Sequence, residues 1–312
     1  MKAFLEWSAR RGAALLAGGI FVGLFLPPLA AAMRDVITPV VFLLMVLVLL
    51  RVDPTQVLAY LRRPGLVAAL LAWVLMACPL LAWALTRALG FEGGLAAALV
   101  IAATGCAATS SPAFARLVGL DGELALVVSL LSTLLVPFTA PPLALELLGI
   151  DLAISTGGLM LRLALLVGLP LLVSIALRRW MGPQRLTEWG LSVDGAVVLL
   201  VVLYGFGVMD GILARLLAEP ALVLGGIALA FGGMLGLNAA TALAFAGEGR
   251  RLALSAGLLS GNRNMALYLA VMPTATDSRI LLFFALCQFP LFLSPFLLRP
   301  LYARLMPPGR AW

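Results

Sequence analysis

Long apolar stretches separated by short polar breaks run through the whole chain. Ten of them, near residues 12–33, 36–50, 65–88, 94–115, 123–148, 152–177, 190–209, 220–246, 252–272 and 279–300, read as helices. Roughly 20 apolar residues at 1.5 Å per residue suffice to cross about 30 Å of hydrocarbon. Two stretches are broken internally by polar and helix-weakening residues. The fourth carries Ala103-Thr104-Gly105-Cys106-Ala107-Ala108-Thr109-Ser110-Ser111-Pro112, and the ninth carries Ser260-Gly261-Asn262-Arg263-Asn264. Glycine loosens a helix, and proline removes a backbone donor and clashes with the preceding turn.

Charge placement supports ten spans with both termini on one side. With a cytoplasmic N-terminus, the inner loops hold Lys2, Arg10 and Arg11, then Arg51, Arg62 and Arg63, then Arg116. They continue with Arg178, Arg179 and Arg185, then Arg250 and Arg251, and finally Arg299, Arg304 and Arg310. The outer loops hold only Arg34, Arg87, Arg215 and Arg279, which leaves Arg162 and Arg263 within spans. Fifteen basic residues against four is the inside bias of membrane proteins, and one extra or missing helix would scramble it. Met1 to Met33 has features of a signal peptide, but the run from Gly12 to Met33 is long for one and reads better as a first span.

Composition agrees. Of 312 residues, 63% are hydrophobic and 11% charged, too few charges to coat a soluble particle, which carries about 25%. The chain is therefore expected to be a single membrane domain, residues 1–312, with no sizeable soluble part. The net charge of +7 belongs to the loops and orients the protein in the bilayer. No aromatic-interleaved basic tract suggests nucleic acid. Cys78, Cys106 and Cys287 lie within apolar runs and imply no disulfide framework. Histidine is absent, which excludes histidine metal sites, histidine-based triads and histidine proton relays.

The halves, residues 1–151 and 152–312, echo each other. Val22-Gly23-Leu24 recurs as Val167-Gly168-Leu169, and Gly105 and Gly261 are half a chain length apart. Pro137, Pro141 and Pro142 of the fifth span answer Pro290, Pro295 and Pro300 of the tenth. With five spans per half, the second half enters the membrane inverted. Interrupted helices at matching positions of inverted repeats point to the binding site of a secondary transporter.

Each candidate residue also has a plainer role. Thr109, Ser110 and Ser111 serve either as small polar residues that let helices pack closely or as ligands for an ion or solute. Asn262, Arg263 and Asn264 are expensive at membrane depth unless paired or facing a wet cavity. They form either a structural ion pair with Asp194 or Asp210, or part of a binding site. Ser129, Ser132 and Thr133 of the fifth span and Gln288 of the tenth are candidates to line the same cavity. Arg162 reads as structural, snorkelling or paired with an acid of the seventh span.

These features resemble the bile acid:sodium symporter family and its wider superfamily, which includes the arsenite-efflux carriers. The most specific stretch runs from Cys106 through Arg116-Leu117-Val118-Gly119 and Leu124-Ala125-Leu126 to Ser132-Thr133-Leu134-Leu135-Val136-Pro137. Gly261, Asn264 and Leu267 match the ninth-helix pattern. The resemblance implies a panel of spans 1, 2, 6 and 7, a core of spans 3–5 and 8–10, and a crossing of spans 4 and 9. It places Ser110 and Ser111 on the fourth-helix pair of the first sodium site, and Ser129 on a fifth-helix threonine of that site. The sequence departs at the second site. The ninth-helix glutamate falls on Leu259, the glutamine after it on Arg263, and the third-helix glutamine near Val74, upstream of Pro79.

A guanidinium is a permanent cation able to reach the space a sodium ion fills. One hypothesis is that Arg263 replaces that ion, so that sodium is left at most a remnant first site. The competing one is that Arg263 grips the carboxylate of the substrate. The leading expectation is a bacterial inner-membrane carrier of a small organic anion, with no resident cofactor, working as a monomer or weak dimer. The rivals are an arsenite or oxyanion efflux carrier, for which Cys106 is the candidate residue, and a non-transporting sensor. An intramembrane protease is disfavoured, because Asp194 and Asp210 lie too far apart on one helix to share a proton.

Overall fold

The computed structural model describes residues 1–52, 63–150, 152–273 and 275–306; Arg62 and Arg310 lie outside them. The described secondary structure is helical: α1 (Lys2–Arg10), α2 (Gly12–Phe25), α3 (Pro27–Arg34), α4 (Ile37–Leu50), α5 (Pro64–Ala88), α6 (Gly94–Thr104) and α7 (Ser111–Leu117). They are followed by α8 (Gly122–Glu146), α9 (Thr156–Glu188), α10 (Gly190–Ala218), α11 (Pro220–Ala244), α12 (Arg250–Gly261), α13 (Met265–Val271) and α14 (Ser278–Leu305). Six of these, α5, α8, α9, α10, α11 and α14, are long and apolar enough to cross a membrane. The protein is an all-α, multi-pass membrane protein.

The predicted first span is not one rod. Leu26 precedes Pro27, whose ring disfavours helical backbone at the residue before it. Leu26 accordingly leaves the helix (φ −119°, ψ 71°), and the chain bends by 104° between α2 and α3. The predicted ninth span is likewise two helices, α12 and α13, and the fourth divides into α6 and α7.

The chain packs as two compact units, each assembled from separated segments. The first comprises Met1–Val52, Arg162–Gly225 and Leu269–Val271. Here α10 packs against α1, α2, α3 and α4. Glycines allow the contact. A methyl group on Gly23 would sit 2.8 Å from Phe206 Cα, and one on Gly195 would sit 1.8 Å from the Leu5 carbonyl oxygen. Two ion pairs fasten this unit. Arg51 grips Asp194 with two hydrogen bonds of 2.8 and 3.1 Å, and Arg34 meets Asp210 at 3.1 Å. Both seventh-span acids are therefore engaged by arginines of their own unit. Arg162 does not pair with either; its Nη1 donates to the Val271 carbonyl at 2.9 Å. Arg178 donates to the carbonyls of Leu50 and Val52, closing the C-terminal end of α4.

The second unit comprises Asp53–Leu161, Gly226–Tyr268 and Met272–Trp312, and holds both broken helices. The apolar window of α14 is 72% buried, whereas that of α11 is 22% buried. Thus α14 is a core element of the unit and α11 offers a mostly uncovered apolar face, as suits lipid. The fifth-span helix α8 starts at Asp121, whose carboxylate accepts from the amides of Glu123 and Leu124 at 3.1 and 2.9 Å. The Asp121 amide in turn donates to Ser255 Oγ of α12 at 2.9 Å.

Candidate transport site

The second unit brings the two breaks together. Gly105 turns out of α6 with extended backbone (φ −62°, ψ 158°), and Asn262 leaves α12 in the same way (φ −88°, ψ 97°). The two short linkers then meet in a single isolated antiparallel bridge, Ala107 opposite Arg263. The Ala108 amide donates to the Asn262 carbonyl at 2.8 Å, and the Asn264 amide to the Cys106 carbonyl at 2.9 Å. A buried peptide group needs a partner, and each linker supplies the other's.

This pairing leaves work for Arg263. Asn264 would close the last turn of α12 onto Ser260, but its amide is spent on Cys106, so the Ser260 carbonyl is an orphan of the helix end. Gly105, beyond the end of α6, is another. The third orphan arises in α5, which widens into a π turn at Trp73–Ala77, with the Cys78 amide reaching back to the Trp73 carbonyl. Pro79 is next in that register and has no N–H to offer Val74. Arg263 satisfies all three: Nε donates to Ser260 at 2.7 Å, and Nη1 to Gly105 at 2.8 Å and Val74 at 2.9 Å. The side chain is only 6% exposed, and its Nη2 has no hydrogen-bond partner. No carboxylate pairs with Arg263 among the described residues. The negative ends of two half-helices, at Gly105 and Ser260, therefore face one fixed positive charge.

The other expected site residues are distributed around this centre. Ser132 Oγ accepts from the Ala107 amide at 3.2 Å and donates to the Ser129 carbonyl at 3.1 Å, tying α8 to the first linker. Ser129 Oγ turns back to the Leu126 carbonyl. Ser111 begins α7, is fully buried, and its hydroxyl has no partner. Thr109 and Ser110, just before it, are half-buried. Asn262 is 1% exposed with both amide atoms unpartnered, and the Ser260 hydroxyl is unpartnered too. Asn264 is buried beside them. Gln288 is buried on α14, with Nε2 directed at the Phe284 carbonyl of its own helix at 3.3 Å.

Two participants, Val74 and Tyr268, were not marked as site residues by the sequence. Val74 acts through its carbonyl, and the available signal was the proline five residues downstream. Tyr268 pairs its hydroxyl with Thr104, whose Oγ1 also reaches the Ile101 carbonyl at 2.7 Å. Thr133, a candidate from the sequence, donates to the Ser129 carbonyl at 2.7 Å and to Cys106 Sγ at 3.4 Å; the Cys106 thiol is wholly buried. The described residues contain no cluster of three or more acids and cysteines suited to a metal ion.

No curated protein matches the chain. The model of the Sodium Bile acid symporter family matches residues 38–208, more than half of the sequence, including the α6–α7 break and all of α8. The chain therefore belongs to the sodium bile acid symporter family, membrane transporters of the bile-acid and organic-anion type rather than enzymes.

Proposed function

We propose that this protein is a secondary carrier of a small organic anion, working by alternating access, in which Arg263 occupies the place of a bound cation. The observation that carries the reading is the ring of three backbone carbonyls, from Val74, Gly105 and Ser260, around one guanidinium. Carbonyl oxygens donated by interrupted helices are what a transporter offers a sodium ion. Here the side chain that falls on the family's ninth-helix glutamine supplies the positive charge itself. Transport by such a carrier does not require sodium, and the hydroxyls of Ser110, Ser111 and Ser129 hold at most a remnant first site.

Two features support the wider architecture. The division of the chain into two compact units, Met1–Val52 with Arg162–Gly225 against most of the rest, is what a panel of spans 1, 2, 6 and 7 and a core of spans 3–5 and 8–10 would give, and so supports that reading. The two breaks come from corresponding positions of the halves, as an inverted pair of five-helix repeats requires. Loop charge favours cytoplasmic termini, and the compact loops suit a bacterial inner membrane.

The test is uptake of radiolabelled organic anions into proteoliposomes, with sodium gradients, potassium gradients or neither. The wild type is expected to accumulate label equally in all three, and Arg263→Gln to lose at least tenfold in rate when sodium is absent. Normal uptake by Arg263→Gln without sodium would refute both roles proposed for the guanidinium.

A further inference from the structure

Arg263 spends two of its three nitrogens on carbonyls, and the third, Nη2, is buried and unpartnered. Inside the second unit, Arg263 also lines a partly enclosed pouch of about 40 Å³ whose other walls include Leu99, Ala103, Gly233, Leu237 and Leu291. The walls are apolar, and small residues keep the space open. A methyl group on Gly233 would already stand 2.7 Å from Leu99 Cδ1. A buried cation with neutral partners only is costly at membrane depth, so the guanidinium calls for one negative charge.

From this we infer that the pouch binds a short aliphatic monocarboxylate, its carboxylate on Nη2 of Arg263 and its tail against the leucines. A carboxylate suits a guanidinium donor. A water needs about 10–15 Å³ by the same measure, so the space holds about three or four heavy atoms in all, the size of a two- or three-carbon acid, and excludes a steroid nucleus. The inference rests on the organic-anion reading above and names its substrate class. The same guanidinium therefore does two things: it fills the carbonyl ring as a cation would, and it presents one free donor to the anion.

The experiment is thermal unfolding of the full-length, detergent-purified protein in sulfate buffer. Acetate, propionate, butyrate, hexanoate, octanoate, taurocholate or chloride is added singly. Acetate and propionate are expected to raise the melting temperature by several degrees, with a smaller response to butyrate and little to hexanoate, octanoate or taurocholate. Arg263→Gln should abolish the response. Leu291→Ala, which enlarges the pouch, should move the optimum one or two carbons longer, and Leu237→Ala does the same from another helix should the first variant fold poorly. A rise with chloride alone, or an optimum that neither enlargement moves, overturns the inference. A response confined to taurocholate overturns it while leaving organic-anion transport standing. No response to any anion also overturns it, and transport itself is then judged by the uptake assay.

Discussion

At the scale of single residues, the balance at the crossing turns on charge and hydrogen-bond partners. Hydrogen bonds to a charged group contribute about 1.5–3 kcal/mol each, so three carbonyls offset much of the several kcal/mol that burying a guanidinium costs. Asn262 is a different case, because its amide is buried and both polar atoms lack partners. Replacing an unsatisfied polar group with an apolar one of similar size is nearly neutral for stability. Asn262→Leu is therefore expected to keep the melting temperature within about 1 kcal/mol equivalent of wild type, while uptake falls at least tenfold. Loss of folding with loss of uptake would mean that Asn262 holds the crossing together rather than serving the solute. The sequence singled out Arg263 and Asn262 because charged and amide side chains stand out in apolar runs. It could not identify the partners of Arg263. Asp194 and Asp210 were the visible candidates, but they pair with Arg51 and Arg34, and the actual partners are carbonyls that every residue possesses.

At the scale of elements, glycine and proline decide where helices end and how closely they pass. The breaks at Gly105 and Gly261 were legible because glycine, proline and clustered hydroxyls or amides interrupt an otherwise apolar helix. The 104° bend between α2 and α3 was not legible in the apolar pattern, which runs unbroken through Leu26. The π turn of α5 was hidden too, since its cause, Pro79, also fits an ordinary kinked span. Close helix approach is likewise invisible until both partners are placed. Gly195 is the sharpest instance: a methyl there would lie 1.8 Å from the Leu5 carbonyl oxygen, so α1 must move. Gly195→Ala is expected to destabilise the protein by about 1–3 kcal/mol, the usual range for overpacking. Thermal unfolding in detergent reads this out; an unchanged melting temperature would show that α1 is not docked on α10.

At the scale of the whole molecule, the charge asymmetry of the loops and the mostly uncovered apolar face of α11 both belong to a protein whose solvent is lipid. In the function proposed above, this chain carries a cation built into the polypeptide, Arg263, where an exchangeable one would otherwise sit. A built-in charge cannot leave with the solute, so it cannot carry a sodium gradient's energy into transport. The most direct measurement is the melting temperature of the detergent-purified protein in sodium chloride against matched potassium and choline chloride. A sodium site at ten times its dissociation constant would stabilise the fold by about 1.4 kcal/mol, a shift of a few degrees. With the guanidinium filling the carbonyl ring, no difference is expected among the three salts for the wild type, and a sodium-specific rise once Arg263→Gln vacates the ring. A sodium-specific rise in the wild type would contradict this, and would leave Arg263 as an anchor for the substrate alone.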